Sequence, residues 1–107
     1  MTGQQQQAGD VYAFGIVLWE LATGQVPYAG MLKGEVVQKV VVGGLRPEFP
    51  GYVPAQYAEL AESCWAKEAS QRPAMAQVLQ QLEAMVLQAA QLQEGMEYGT
   101  HMLEDWG

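Results

Sequence analysis

The sequence predicts an all-α fold of four helices. Three observations carry the prediction. Apolar residues recur at helical spacing in four separate stretches. Glycines and prolines fall at the joins between those stretches, as in Gly24 to Pro27, Gly43-Gly44, and Pro47 to Pro54. No segment reads as a strand in preference to a helix, although the run Val40 to Val42 would also suit one.

The first helix is predicted over about 10–23. Met1 to Gly9 is Gln-rich and of low complexity, and reads as a flexible lead-in. Asp10 is placed to cap the helix, since its carboxylate can accept from the open amides of the first turn. Val11, Tyr12, Phe14, Ile16, Val17, Leu18, Trp19 and Leu21 then leave almost no polar side, which predicts burial all round. Gly24 can take the left-handed conformation that ends a helix, and Pro27 blocks continuation.

The second helix is predicted over about 32–42, with Val36, Val37, Val40 and Val41 on one face and Gly43-Gly44 as its stop. Residues 45–53 read as a loop. The third helix, about 54–66, opens at Pro54 and carries the stripe Tyr57, Leu60, Ala61, Cys64 and Trp65. The fourth, about 73–93, opens at Pro73. Met75, Val78, Leu79, Leu82, Met85, Val86, Ala89 and Leu92 form its apolar face, and Gly95 is its expected end. The division expected is therefore 1–9 lead-in, 10–94 helical body and 95–107 acidic mobile tail.

Composition narrows function. Twelve acidic residues against five basic ones give a formal net charge of −7, and no Lys or Arg follows Arg72. Such a chain repels phosphate backbones and anionic lipid, which argues against nucleic acid and membrane surfaces as partners. The longest apolar block, Val11 to Ala22, contains Glu20 and falls short of the ~20 residues that span a bilayer. The residues before Gly9 lack the cationic start and apolar block of a secretory leader. One cysteine, Cys64, cannot form an internal disulfide, which fits a reducing, cytoplasmic setting. Cys64 and Trp65 read as core.

The stretch Asp10-Val11-Tyr12-Ala13-Phe14-Gly15-Ile16-Val17-Leu18-Trp19-Glu20-Leu21 is followed by Gly44-Leu45-Arg46-Pro47, then Cys64-Trp65, then Gln71-Arg72-Pro73. In order and spacing these motifs resemble the C-terminal lobe of protein kinases over roughly Gly9 to Leu82. Tyr12 and the short Thr23 to Tyr28 link look most like the tyrosine-kinase-like group of Ser/Thr kinases. The resemblance implies a partial kinase C-lobe, with the four helices as those called F, G, H and I. Gly9 stands where the family usually has Ser, Glu68-Ala69 replaces a common Asp-Pro, and Ala74 replaces a usual Ser or Thr. These departures suit a divergent member.

By resemblance, Asp10 anchors the catalytic loop by accepting its backbone amides, a task suited to a multi-acceptor carboxylate. Read from spacing alone, it is a plain helix cap. Arg72 matches the arginine that pairs with the Glu of an Ala-Pro-Glu motif, which does not occur in these residues. In this chain it is expected to turn to solvent or to find another acid. Glu20 matches a position that contacts a basic substrate residue in some Ser/Thr kinases; read by itself it is a solvated Glu near a helix end.

Phosphoryl transfer needs a Gly-rich loop and Lys on the phosphates, an Asp base, and an Asp and Asn on the metal ions. This sequence has no such loop, no His-Arg-Asp, no Asp-Phe-Gly and no Asn, and its only aspartates are Asp10 and Asp105. It therefore offers no catalytic, cofactor-binding or metal residues of its own, and ATP and Mg belong to a complete parent. A lone His101 and Cys64 are too few ligands for a metal, and Glu59 with Glu62 reads as a solvated face. Three readings remain: a kinase-domain fragment acting as scaffold and docking surface, a non-catalytic interaction module whose exposed central helix takes a protein partner, or a broken copy that makes no stable protein.

Overall fold

The computed structural model describes the backbone of residues 3–96 and the side chains of residues 6–91. The expected acidic tail beyond Met96, with His101 and Asp105, lies outside the described residues, as do Met1 and Thr2. Helix α1 runs Gly3–Thr23, α2 runs Lys33–Val37 and passes into a π-helical turn Gln38–Val42, α3 runs Ala55–Cys64, a 3-10 turn covers Ala69–Gln71, and α4 runs Met75–Met96. Among the described residues there is no strand. The all-α prediction holds.

Two predicted boundaries need correction, and one helix changes type. Helix α1 begins seven residues before Asp10, because Gln4 to Gln7 and Ala8 are competent helix formers despite their low complexity. Asp10 thus lies inside the helix and caps nothing. Gly95 does not end α4, which continues to Met96; a helical glycine costs only about 1 kcal/mol relative to Ala. The valine run resolves as helix, but a widened one: the Gly43 N–H reaches back five residues to the Gln38 carbonyl at 3.2 Å.

The core forms where α1 crosses α3. Gly15 makes the crossing close, since a Cβ there would stand 2.8 Å from the Cys64 Cβ and 2.9 Å from the Ala61 carbonyl. On one side of the crossing Val11, Leu60, Cys64 and Val78 are buried together, with Met75, Leu82 and Met85 packed on them. On the other, Leu18, Trp19, Ala61 and Trp65 form a second cluster bounded by Phe49 and Tyr57. Phe49 stacks on Trp65 with centroids 5.8 Å apart, and the Trp19 Nε1–H donates to the Glu48 carbonyl at 2.8 Å. The 45–53 loop is therefore tied down without secondary structure.

Other apolar faces stay open. The 22 residues of α4 make a rod about 33 Å long, while the ten of α3 cover only about 15 Å. Of the predicted α4 stripe, Val78 is buried and Met75, Leu82 and Met85 are partly covered, but Leu79 and Val86 are exposed. Nor is α1 buried all round: Val17 is 43% and Leu21 74% exposed. The valine face of α2 and the π turn contributes no buried residue.

Candidate functional site

The uncovered side of α1 is a single line. Asp10, Ala13, Val17 and Leu21 are all exposed and succeed one another at steps of three, four and four, so they share one face, with exposed Glu20 at its edge. The opposite side, through Val11, Gly15, Leu18 and Trp19, is buried. Among the described residues no hydrogen bond or ion pair uses the Asp10 carboxylate. Glu20 lies ten residues further on, about 15 Å along the axis. It stands in the last turn, where the helix dipole disfavours an anion and keeps it in water. The turn itself closes through Gly24, at φ 66°, whose N–H donates to the Glu20 carbonyl at 2.8 Å.

Arg72 follows neither course expected of it. It is partly buried and, among the described residues, finds no acid. Its Nε donates to the Ala66 carbonyl at 2.8 Å, Nη1 to the Ala8 carbonyl at 3.0 Å, and Nη2 to the Lys67 carbonyl at 3.4 Å. The planar fork of donors lets one guanidinium serve carbonyls left open just beyond α3 while also reaching α1. Its Cζ lies 5.0 Å over the Tyr12 ring. Beside it a cleft of about 890 Å³ opens between Gln7, Ala8 and Val11 of α1 and residues 69–76.

Sequence reasoning missed a second arginine at the same ring. Arg46 also sits 5.0 Å over Tyr12. Its Nε donates to the Trp65 carbonyl at 2.9 Å and its Nη1 to the Leu45 carbonyl at 2.8 Å. One signal was available: both arginines precede proline. A residue before proline is held extended, and Arg72 has φ −77° and ψ 140°. Tyr28 joins the group through its hydroxyl, 3.5 Å from the Leu45 carbonyl, and holds a left-handed φ of 58°. Burial, with the neighbouring Tyr12, pushes its phenol up against the opposing pull of Arg46.

This arrangement can dock and brace; it carries no reactive group. The Cys64 thiol is fully buried, and burial pushes its pKa up, so it is held as the inert thiol. The Ser63 hydroxyl donates to the Leu60 carbonyl. Among the described residues no three His, Cys, Asp or Glu side chains come together as a metal site. No helix among them is long and apolar enough to cross a membrane.

Comparison with known proteins adds the context of this geometry. The family profile described as protein tyrosine and serine/threonine kinase matches residues 1–82. Mitogen-activated protein kinase kinase kinase 11 of Homo sapiens is 42% identical over 101 residues, which is 94% of this chain and 12% of that protein. The probable serine/threonine-protein kinase drkB of Dictyostelium discoideum is 44% identical over 79 residues, 74% of this chain and 11% of its own length. Serine/threonine-protein kinase STY46 of Arabidopsis thaliana is 39% identical over 88 residues, 82% of this chain and 15% of its own. The chain thus spans only a small part of the curated relatives it matches.

Proposed function

The chain belongs to the protein tyrosine and serine/threonine kinase family, and from that premise we propose that it is the helical scaffold of a kinase domain. Its complete parent transfers the γ-phosphate of ATP to Ser or Thr of protein substrates, with Tyr the less favoured acceptor. In that parent Asp10 anchors the catalytic loop and Arg72 pairs with a Glu supplied by a segment lying in the cleft beside it. The α2–π segment offers a docking surface, and Glu20 faces a basic substrate residue. The partners are the rest of the kinase domain and the protein substrate.

The observation that carries this reading is the open side of α1. A carboxylate with no partner among the described residues stands in line with exposed Val17 and Leu21, and such a face calls for a covering segment. ATP and Mg serve a complete kinase, and the residues here do not fit either group. Asp10 is the one aspartate among the described residues, no ligand cluster forms among them, and the chain has no Asn. This chain is expected to bind no ATP alone.

The test is Asp10→Ala in the complete parent. Loss of the loop's anchor misplaces the reacting groups, and a 1 Å misplacement costs on the order of 100-fold in rate. The expected result is a fall of that size in kcat with the melting temperature little changed. An unchanged kcat removes the anchor role.

The second reading, a non-catalytic interaction module, is favoured by one observation. Arg72 is already satisfied within the chain, and among the described residues no buried side-chain N or O lacks a partner. A cooperative thermal melt of the 107-residue chain supports it, and a gradual, non-cooperative loss of helix signal counts against it.

A further inference from the structure

Between α3 and α4 lies a groove of about 590 Å³ that none of the roles above uses. Its walls carry four carboxamides, Gln56, Gln71, Gln81 and Gln88, over a floor that includes Leu60. Among the described residues none of the four carboxamides takes part in a hydrogen bond. Each offers an acceptor and two donors, the same pairing that a peptide unit presents. Glu59 is the only charged residue of the lining, and no aromatic side chain belongs to it.

Those features select among ligands. Nucleobases are held by stacking on aromatic rings, and the groove has none. Anions meet Glu59 inside a chain of net charge −7. A second copy of the chain, or its own acidic end, brings like charge. The volume falls in the ~300–1,000 Å³ range of ligand sites. The ten residues of α3 run for about 15 Å, the length of about four or five extended residues.

We propose that this groove binds an extended peptide segment carrying a basic residue, its main chain paired with the glutamine carboxamides and its cation held by Glu59. The site shares no residue with the open face of α1. It stands or falls independently of the kinase scaffold reading.

The experiment follows the glutamine side-chain amide signals of the ¹⁵N-labelled chain by NMR. The probe is an N-acetylated, C-amidated heptapeptide of alternating Ser and Ala with one central Lys. Saturable shifts are expected at Gln56, Gln71, Gln81 and Gln88, while Gln80, outside the groove, stays still. Replacing the peptide Lys by Glu, or Glu59→Gln in the protein, should weaken binding about 3- to 5-fold, the scale of one exposed ion pair. A Gln81→Ala, Gln88→Ala double variant should weaken it further while keeping helix content, since Ala favours helix. No shift at ~1 mM peptide, shifts that include Gln80 equally, or affinity unmoved by both variants would each overturn the proposal.

Discussion

The α1–α3 crossing and the α2–π segment are built from similarly apolar residues and end up in opposite states. At the crossing, Gly15 removes a side chain, so Ala61, Cys64 and Trp65 lie against α1 with 0 to 4% of their surface exposed. In the 33–42 segment, Val37, Val41 and Val42 stand 56 to 72% exposed. Hydrophobicity alone therefore does not place a residue inside; a helix needs a partner shaped to receive it. The crossing holds the described helices together, and the valine ridge stays open.

The largest test of that contrast is Trp65→Ala. Trp65 is 4% exposed and stacked on Phe49, and truncating a buried aromatic costs about 3–5 kcal/mol. For a domain of marginal stability that approaches the whole. Denaturant titration should find the variant largely unfolded; a midpoint close to wild type would mean the crossing is not the core. Gly15→Ala comes next. Ala favours helix by about 1 kcal/mol, but its Cβ would meet a Cβ and a backbone carbonyl at under 3.0 Å. Overpacking costs about 1–3 kcal/mol, so a net loss of stability is expected, and a gain would show that the helices part easily.

Arg72→Ala tests whether the brace around Tyr12 extends the crossing. It removes donors from the Ala8, Ala66 and Lys67 carbonyls. Those carbonyls regain water in part, so a loss of about 1–2 kcal/mol is expected. Arg72→Lys should recover only a fraction, because an ammonium cannot reproduce the fork. Equal stability in all three would reduce Arg72 to a surface residue in this chain.

Cys64 gives the crossing a pH signature. Its folded pKa is raised from 9.0 by burial, so the folded state holds the proton longer than the unfolded one. That contribution is fully present below pH 9.0 and is lost as pH rises through the raised folded value. Tyr57, raised from 10.0 by burial, acts in the same direction at higher pH. Stability should therefore fall above about pH 9, and the first part of that fall should vanish in Cys64→Ala when each variant is normalised to its own value at pH 7.

Much of this was legible in the sequence. Cys64 and Trp65 read as core and are core, and Leu60 and Ala61 of the same stripe are buried with them, because one short helix with one apolar face has one way to lie. The ordered motifs placed the chain in its family. What escaped was set by tertiary context. Asp10 read as a cap because Gln4 to Gln7 carry no apolar period, yet helix propensity alone continues α1 through them. Leu79 and Val86 share the predicted apolar face yet stay exposed, because periodicity cannot say how much of a long helix a shorter neighbour covers. Arg72 read as solvent or ion pair because carbonyl acceptors have no letter in a sequence.

The smallest expected effect is the most informative about the valine ridge. Val41→Ser and Val42→Ser change side chains 69% and 72% exposed, and surface substitutions usually stay within about 0.5 kcal/mol. The isolated chain should not register them. If the ridge is a docking surface in the complete parent, the same pair should weaken capture of protein substrate there, with turnover of a short peptide substrate unchanged. A loss of stability in the isolated chain would mean that the ridge packs internally after all. The difference drawn between it and the crossing would then be one of degree.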